Sequence, residues 1–128
     1  MTKLIEKNEA TGKTKEIFDE IEAAFGMIPD FFKALGAVDA DWLELNWNRL
    51  KKIMLSEGGL DHKTRELIAL AVSQVNRCKY CSSAHETMAR AAGATDQEIG
   101  QVLQVVDLFS SFNVIVDALG LEPDIKPE

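Results

Sequence analysis

Apolar residues recur at three- and four-residue steps along nearly the whole chain, which is the signature of amphipathic helices. Ile17, Phe18, Ile21, Ala24 and Phe25 form one stripe among acids and lysines, and Gly26 is placed to end that helix. Pro29, at a first-turn position, opens a short helix through Phe31, Phe32 and Leu35. A longer one is expected after Asp39, carrying Trp42, Leu43, Trp47, Leu50, Ile53 and Met54 up to the breaking pair Gly58-Gly59. Asp61 can cap a fourth helix running to about Asn76, and a fifth is expected from Cys78 to Gly93. Thr95 and Glu98 have the spacing of a capping box for the last helix. That helix runs from Ile99 through Val106, Phe109 and Phe112 to Leu119, and any break in it is expected near Ser110-Ser111. The tail beyond Gly120, with Pro123 and Pro127, reads as a frayed end. The fold class is all-α.

The last helix has more apolar surface than one face needs. Such a stripe must be buried on several sides, and a small domain has little room for that. Burial against a second subunit is expected, with a central core helix as the alternative.

Composition narrows the picture. At 128 residues and 14.2 kDa the chain is one domain's worth, 1–128, and is long enough for its own core. Eight glycines and three prolines are too few for the turns of a β-sandwich. A net charge of −7 repels a phosphate backbone, and Arg49, Lys51 and Lys52 read as a solvated helix face, so nucleic acid is not expected as a partner. The longest uninterrupted apolar run is the six residues Leu67–Val72, whereas a membrane span needs about 18. The first residues contain no secretory pattern. A cytoplasmic protein without membrane contact is the expectation.

The chemistry concentrates in one stretch. Both cysteines stand three apart as Cys78-Lys79-Tyr80-Cys81, with His85 four residues on and Glu66 twelve residues before Cys78. A reducing compartment disfavours a structural disulfide, which leaves redox chemistry or metal binding. On a helix starting near Cys78, the two cysteines and His85 share one face, and first-turn amides favour a thiolate. If the helices on either side fold back as an αα-hairpin, Glu66 lies about one turn, roughly 4.5 Å, from His85. Ala69 and Ser73 are small enough to let the helices approach. Two other uses stay open: buried small hydrophobes, or a zinc site from Cys78, Cys81, His85 and Glu66, which lacks the four Cys or His ligands usual for structural zinc. His62 is expected to be solvated and Tyr80 to be a packing residue.

The run Glu66-x11-Cys78-x2-Cys81-x3-His85, set in RELIALAVSQVNRCKYCSSAHETMARAAGATDQEI, resembles the core motif of the carboxymuconolactone decarboxylase/AhpD-like family. The core motif lies within 61–93. The helical lead-in and the tail from Phe112-Asn113 to Gly120 resemble that family too. The resemblance implies an AhpD-like helical domain, and the presence of both cysteines points to its alkylhydroperoxidase branch. It implies a thiol-dependent peroxidase acting on small peroxides, without cofactor or metal, with Cys81 attacking, Cys78 resolving, and His85 and Glu66 relaying protons. His85 is one turn from Cys81 but nearly two, about 10 Å, from Cys78, which agrees with that assignment. The cysteines are expected to form a reversible intrachain disulfide, since first-turn distortion can bring their sulfurs together. The implied partners are a dithiol reductant, lipoyl or thioredoxin-like, and further copies of the chain in a trimer-based assembly with a hexamer favoured. Tyr80 stands where the best-known alkylhydroperoxidase has histidine. A disulfide reductase or redox sensor, and a decarboxylase-like lyase with His85 as base, are the alternative functions.

Overall fold

A computed structural model describes residues 2–128 of the chain. It is all-helical, with no strand among the described residues. By contact the chain divides into two compact units, one running to Ser56 and the other from Glu57 to Glu128.

The first unit opens with a 3-10 turn, Lys7–Glu9, followed by helices α1 (Gly12–Phe25), α2 (Asp30–Val38) and α3 (Ala40–Leu50). The caps follow from local chemistry. Gly26 takes the left-handed conformation at φ 76° and its amide donates to the Glu22 carbonyl, ending α1. Pro29 sits just before α2 rather than in its first turn. The Asp39 carboxylate accepts the amides of Asp41 and Trp42 at 2.6 and 3.1 Å and starts α3. The helix expected to reach Met54 changes character after Leu50, where a π-helical turn, Lys51–Leu55, takes over. At that change Lys51 reaches the Glu20 carboxylate and lies over the Trp47 ring.

Phe18, Ile21, Phe32, Leu35, Leu43 and Trp47 fill the core of this unit. The Trp47 ring meets Phe25 and Phe32 edge-on at 5.7 and 5.6 Å, a favoured aromatic geometry. Its indole N–H donates to Glu20 at 2.7 Å. That bond and the Lys51 ammonium hold the Glu20 carboxyl below its ordinary pKa.

The second unit consists of α4 (His62–Val75), α5 (Lys79–Ala91) and α6 (Asp96–Leu119). Asp61 accepts the Thr64 amide at 2.8 Å and caps α4. The capping box of α6 is present in both directions: Thr95 Oγ1 accepts the Glu98 amide, and Glu98 accepts the Thr95 amide. Lys63 on α4 also bonds Glu98, and this ion pair, more than the Thr95 amide, lowers the Glu98 pKa. α4 packs against both α5 and α6, with Leu70, Ala89 and Ile99 buried between them.

α6 is a single helix of 24 residues, unbroken at Ser110-Ser111, and ends at Gly120 with φ 64°. Only Ile99 on it is buried, and from Asp107 to Leu119 every position is exposed. By length and composition α6 could cross a membrane: its most apolar stretch has a mean hydropathy of 1.6, and none of that stretch is buried in the chain. The count of uninterrupted apolar residues missed this, because isolated polar residues punctuate the stretch without lowering its average much.

Candidate functional site

α4 brings Glu66 inward in its second turn, where the residue is 2% exposed. A buried carboxyl needs a partner, and here the partner comes from α5: His85 Nδ1 lies 2.7 Å from Glu66 Oε2. An ionised Glu66 can only accept, which makes His85 Nδ1 the donor of this bond. The His85 side chain is 27% exposed, which leaves the imidazole open to a reactant on one side. The fold-back expected from the sequence thus brings these two residues into direct contact.

The turn joining α4 to α5 positions the cysteines. The Arg77 amide donates to Gln74 O at 3.1 Å and the Cys78 amide to Ser73 O at 3.0 Å, the paired bonds of a Schellman motif. The motif requires a left-handed residue between them, and Arg77 fills that position at φ 56°. Glycine usually stands there, because a Cβ in this conformation costs about 1–2 kcal/mol. The Ser73 hydroxyl donates to Ala69 O at 2.7 Å, so this buried serine lets α4 run close to α5 while its carbonyl anchors Cys78.

Cys78 is the N-cap of α5, and its Sγ accepts the Cys81 amide at 3.2 Å. Cys78 and Cys81 form a disulfide with their Cα atoms 5.3 Å apart, so the intrachain pair expected from the spacing is present. After reduction, the same amide and the free amides of the first turn favour a thiolate at Cys78. Cys81 and His85 are four apart on α5, and neighbours at that spacing share a helix face.

Tyr80, expected to pack, is 51% exposed in the first turn of α5. His62 is exposed at the start of α4. Among the described residues no three His, Cys, Asp or Glu side chains gather to hold a metal ion. Arg77 is the residue of this site that the sequence reading passed over. Its signal was available: the position directly after a helix end, where glycine or asparagine is usual, holds an arginine.

An all-helical hairpin that presents a Cys-x-x-Cys disulfide beside a buried Glu–His pair defines a class of redox-active helical domains. Residues 37–121 match the carboxymuconolactone decarboxylase family, and the chain belongs to it. The crystal structure of the alkylhydroperoxidase AhpD core from Rhodospirillum rubrum superimposes with a TM-score of 0.90 at 35% identity, over 96% of this chain and 93% of that one. An alkyl hydroperoxide reductase of Mycobacterium tuberculosis is 34% identical over 68% of this chain and 25% of its own length. Alkyl hydroperoxide reductase AhpD of Mycobacteroides abscessus is 27% identical over 82% of this chain and 61% of its own. The chain therefore spans from a quarter to about three-fifths of the length of these two curated relatives.

Proposed function

We propose that the chain is a thiol peroxidase that reduces small hydroperoxides through Cys81 and Cys78. The observation that carries this reading is the 2.7 Å bond between buried Glu66 and His85, on the hairpin that holds the cysteine disulfide. With Nδ1–H held by Glu66, His85 Nε2 is free to take the Cys81 proton. The Cys81 thiolate attacks the distal peroxide oxygen, the O–O bond breaks, and the alkoxide leaves with the proton carried by His85. The Cys78 thiolate then attacks the sulfenic acid on Cys81, the S–S bond forms, and the displaced hydroxide takes up the proton that Cys78 gave up and departs as water. Two thiols and one peroxide become a disulfide, an alcohol and water. A dithiol partner, lipoyl or thioredoxin-like, returns both electrons. The cycle needs a reducing compartment, which is the cytoplasm.

The assembly belongs to the same reading. Leu108, Phe109, Phe112, Ile115 and Leu119 are all exposed on a helical segment that no other described residue buries. A shallow groove of about 300 Å³ between α4 and α6 adds Ile68, Ala71, Val102 and Val105 to this surface. A further copy of the chain, in a trimer-based assembly with a hexamer favoured, supplies an apolar cover. Lipid suits α6 less well, because Asp107 sits near its middle, where a charge costs about 2.5–3.5 kcal/mol in a bilayer.

The test is trapping. In Cys78→Ser, peroxide should leave a sulfenic acid on Cys81 that dimedone captures, and Cys81→Ser should trap almost nothing. Glu66→Gln keeps size and a hydrogen bond, so it should fold while slowing oxidation by about 10–100-fold. Capture on Cys78 instead reverses the two roles. Thiols that ignore peroxide but exchange with disulfides point to a reductase or sensor. Idle cysteines with turnover that depends on His85 point to a lyase.

A further inference from the structure

We propose that Arg77 and Lys79 form a basic collar that docks the acidic face of the dithiol protein reducing the Cys78–Cys81 disulfide. The inference rests on the peroxidase reading and names the surface chemistry of its reductant. Between Glu66 and Glu86 the chain contains no aspartate or glutamate, and its only formal charges there are Arg77 and Lys79. This happens in a protein of net charge −7. Both side chains are exposed, and neither joins an ion pair among the described residues. Two other cations of the same unit, on its helices α4 and α5, are compensated: Lys63 pairs with Glu98, and Arg90 with Glu86 and Asp96.

Arg77 adds a second, independent argument. It occupies the left-handed position of the turn at φ 56°, where glycine carries no steric penalty. A residue held in a disfavoured backbone conformation beside a reactive group points to a role that offsets the strain. Its side chain is exposed rather than packed. The part of it left to explain its place is the charge, directly before Cys78.

The collar faces the reductant rather than the peroxide for two reasons. A neutral alkyl hydroperoxide has no charge to be steered. The cations flank Cys78, whose sulfur in the oxidised form is the one beside them in the chain, and the oxidised form is the one a reductant meets. One thiolate of the partner attacks Cys78 Sγ, the S–S bond breaks and Cys81 leaves as a thiolate, which takes up a proton. The partner's second thiol then attacks the mixed disulfide, releasing Cys78. The partner ends as a disulfide and both cysteines as thiols. Complementary charge around such an exchange acts mainly on encounter rate and its salt dependence.

The experiment starts from protein oxidised with diamide, so no peroxide step is involved. Reduction rates are compared for dithiothreitol, dihydrolipoate and an acidic reduced thioredoxin, in native protein, Arg77→Gly, Lys79→Gln and the double variant. The ratio of the thioredoxin rate to the dithiothreitol rate should fall about threefold in each single variant and about tenfold in the double variant at low salt. The native ratio should drop as salt rises, and that of the double variant should stay nearly flat. Arg77→Gly should also melt about 2–4 °C higher as the backbone strain disappears. Equal ratios in all four proteins overturn the collar. So does a loss seen with dihydrolipoate but absent with thioredoxin, which assigns the cations to small anions. A lower melting temperature for Arg77→Gly overturns the strain argument, because the arginine would then be stabilising the turn. A separate peroxide oxidation of the native thiols keeps the two readings apart: if it fails while the ratios fall as expected, the collar stands and the peroxidase reading does not.

Discussion

The two units of the chain handle their apolar residues in opposite ways. The amino-terminal unit closes a core of nine buried residues that includes Phe18 and Trp47, with Phe25, Phe32 and Trp47 in mutual ring contact. Among its described apolar residues, the unit with the cysteines buries only Leu70, Ala89 and Ile99, and it leaves most of α6 exposed. Both tryptophans lie in the first unit, while the single tyrosine and both cysteines lie in the second. The contrast teaches that a helical unit can carry reactive groups on a small core when its remaining apolar surface has another destination. Local openings concentrate where few buried contacts resist them, and the disulfide sits at a hairpin tip in that kind of region.

Removing the anchor of the larger core should have the greatest effect. Trp47→Ala deletes both edge contacts and the donor to Glu20, and should destabilise the first unit by about 3–5 kcal/mol in denaturant unfolding. A loss under about 1 kcal/mol would mean that this core is not closed as described.

Phe112→Asp separates the two views of α6. If α6 is solvated, this half-exposed position should tolerate the change within about 0.5 kcal/mol. If copies of the chain cover it, an unpaired buried charge should cost about 3 kcal/mol or more and shift the mass in light scattering toward the 14.2 kDa monomer. The second outcome is expected.

Thr95→Ala removes one half of the capping box and should cost about 1 kcal/mol, seen as faster amide exchange in the first turn of α6. The mirror change in the other unit, Asp39→Ala, should cost a similar amount and fray α3 instead.

The smallest effect is a pH dependence confined to the first unit. Glu20 titrates below its ordinary value because Trp47 donates to it and Lys51 lies beside it. A folded pKa below the unfolded one contributes stability above the unfolded value, and that contribution is lost as pH falls through the folded value. Native protein should therefore lose a little more stability than Glu20→Gln between about pH 5 and 3, and the exposure of Glu20 keeps the difference small. Identical pH profiles would assign the Trp47–Glu20 contact to packing alone.

The caps were legible because each depends on atoms three or four residues apart: Gly26 for α1, Asp39 for α3, Asp61 for α4, and Thr95 with Glu98 for α6. The Glu66–His85 pairing was legible too, since fixed helical rise and one short turn bring those positions level. The π-helical turn after Leu50 was not, because it preserves the apolar spacing and changes only which carbonyl each amide meets. Tyr80 was misplaced for a related reason: residues in the first turn of a helix lie on every side, and only the packing partner selects the buried one.

The sequence by itself determined the helical class, the order of the elements, the Glu66–His85 contact and the Cys78–Cys81 pair, because periodicity, capping and short-range spacing are local properties of the chain. Tertiary structure alone decided that Glu66 is buried and that α6 continues uncovered to Gly120. Burial and exposure depend on what another segment places against a residue, and no spacing along the chain specifies that.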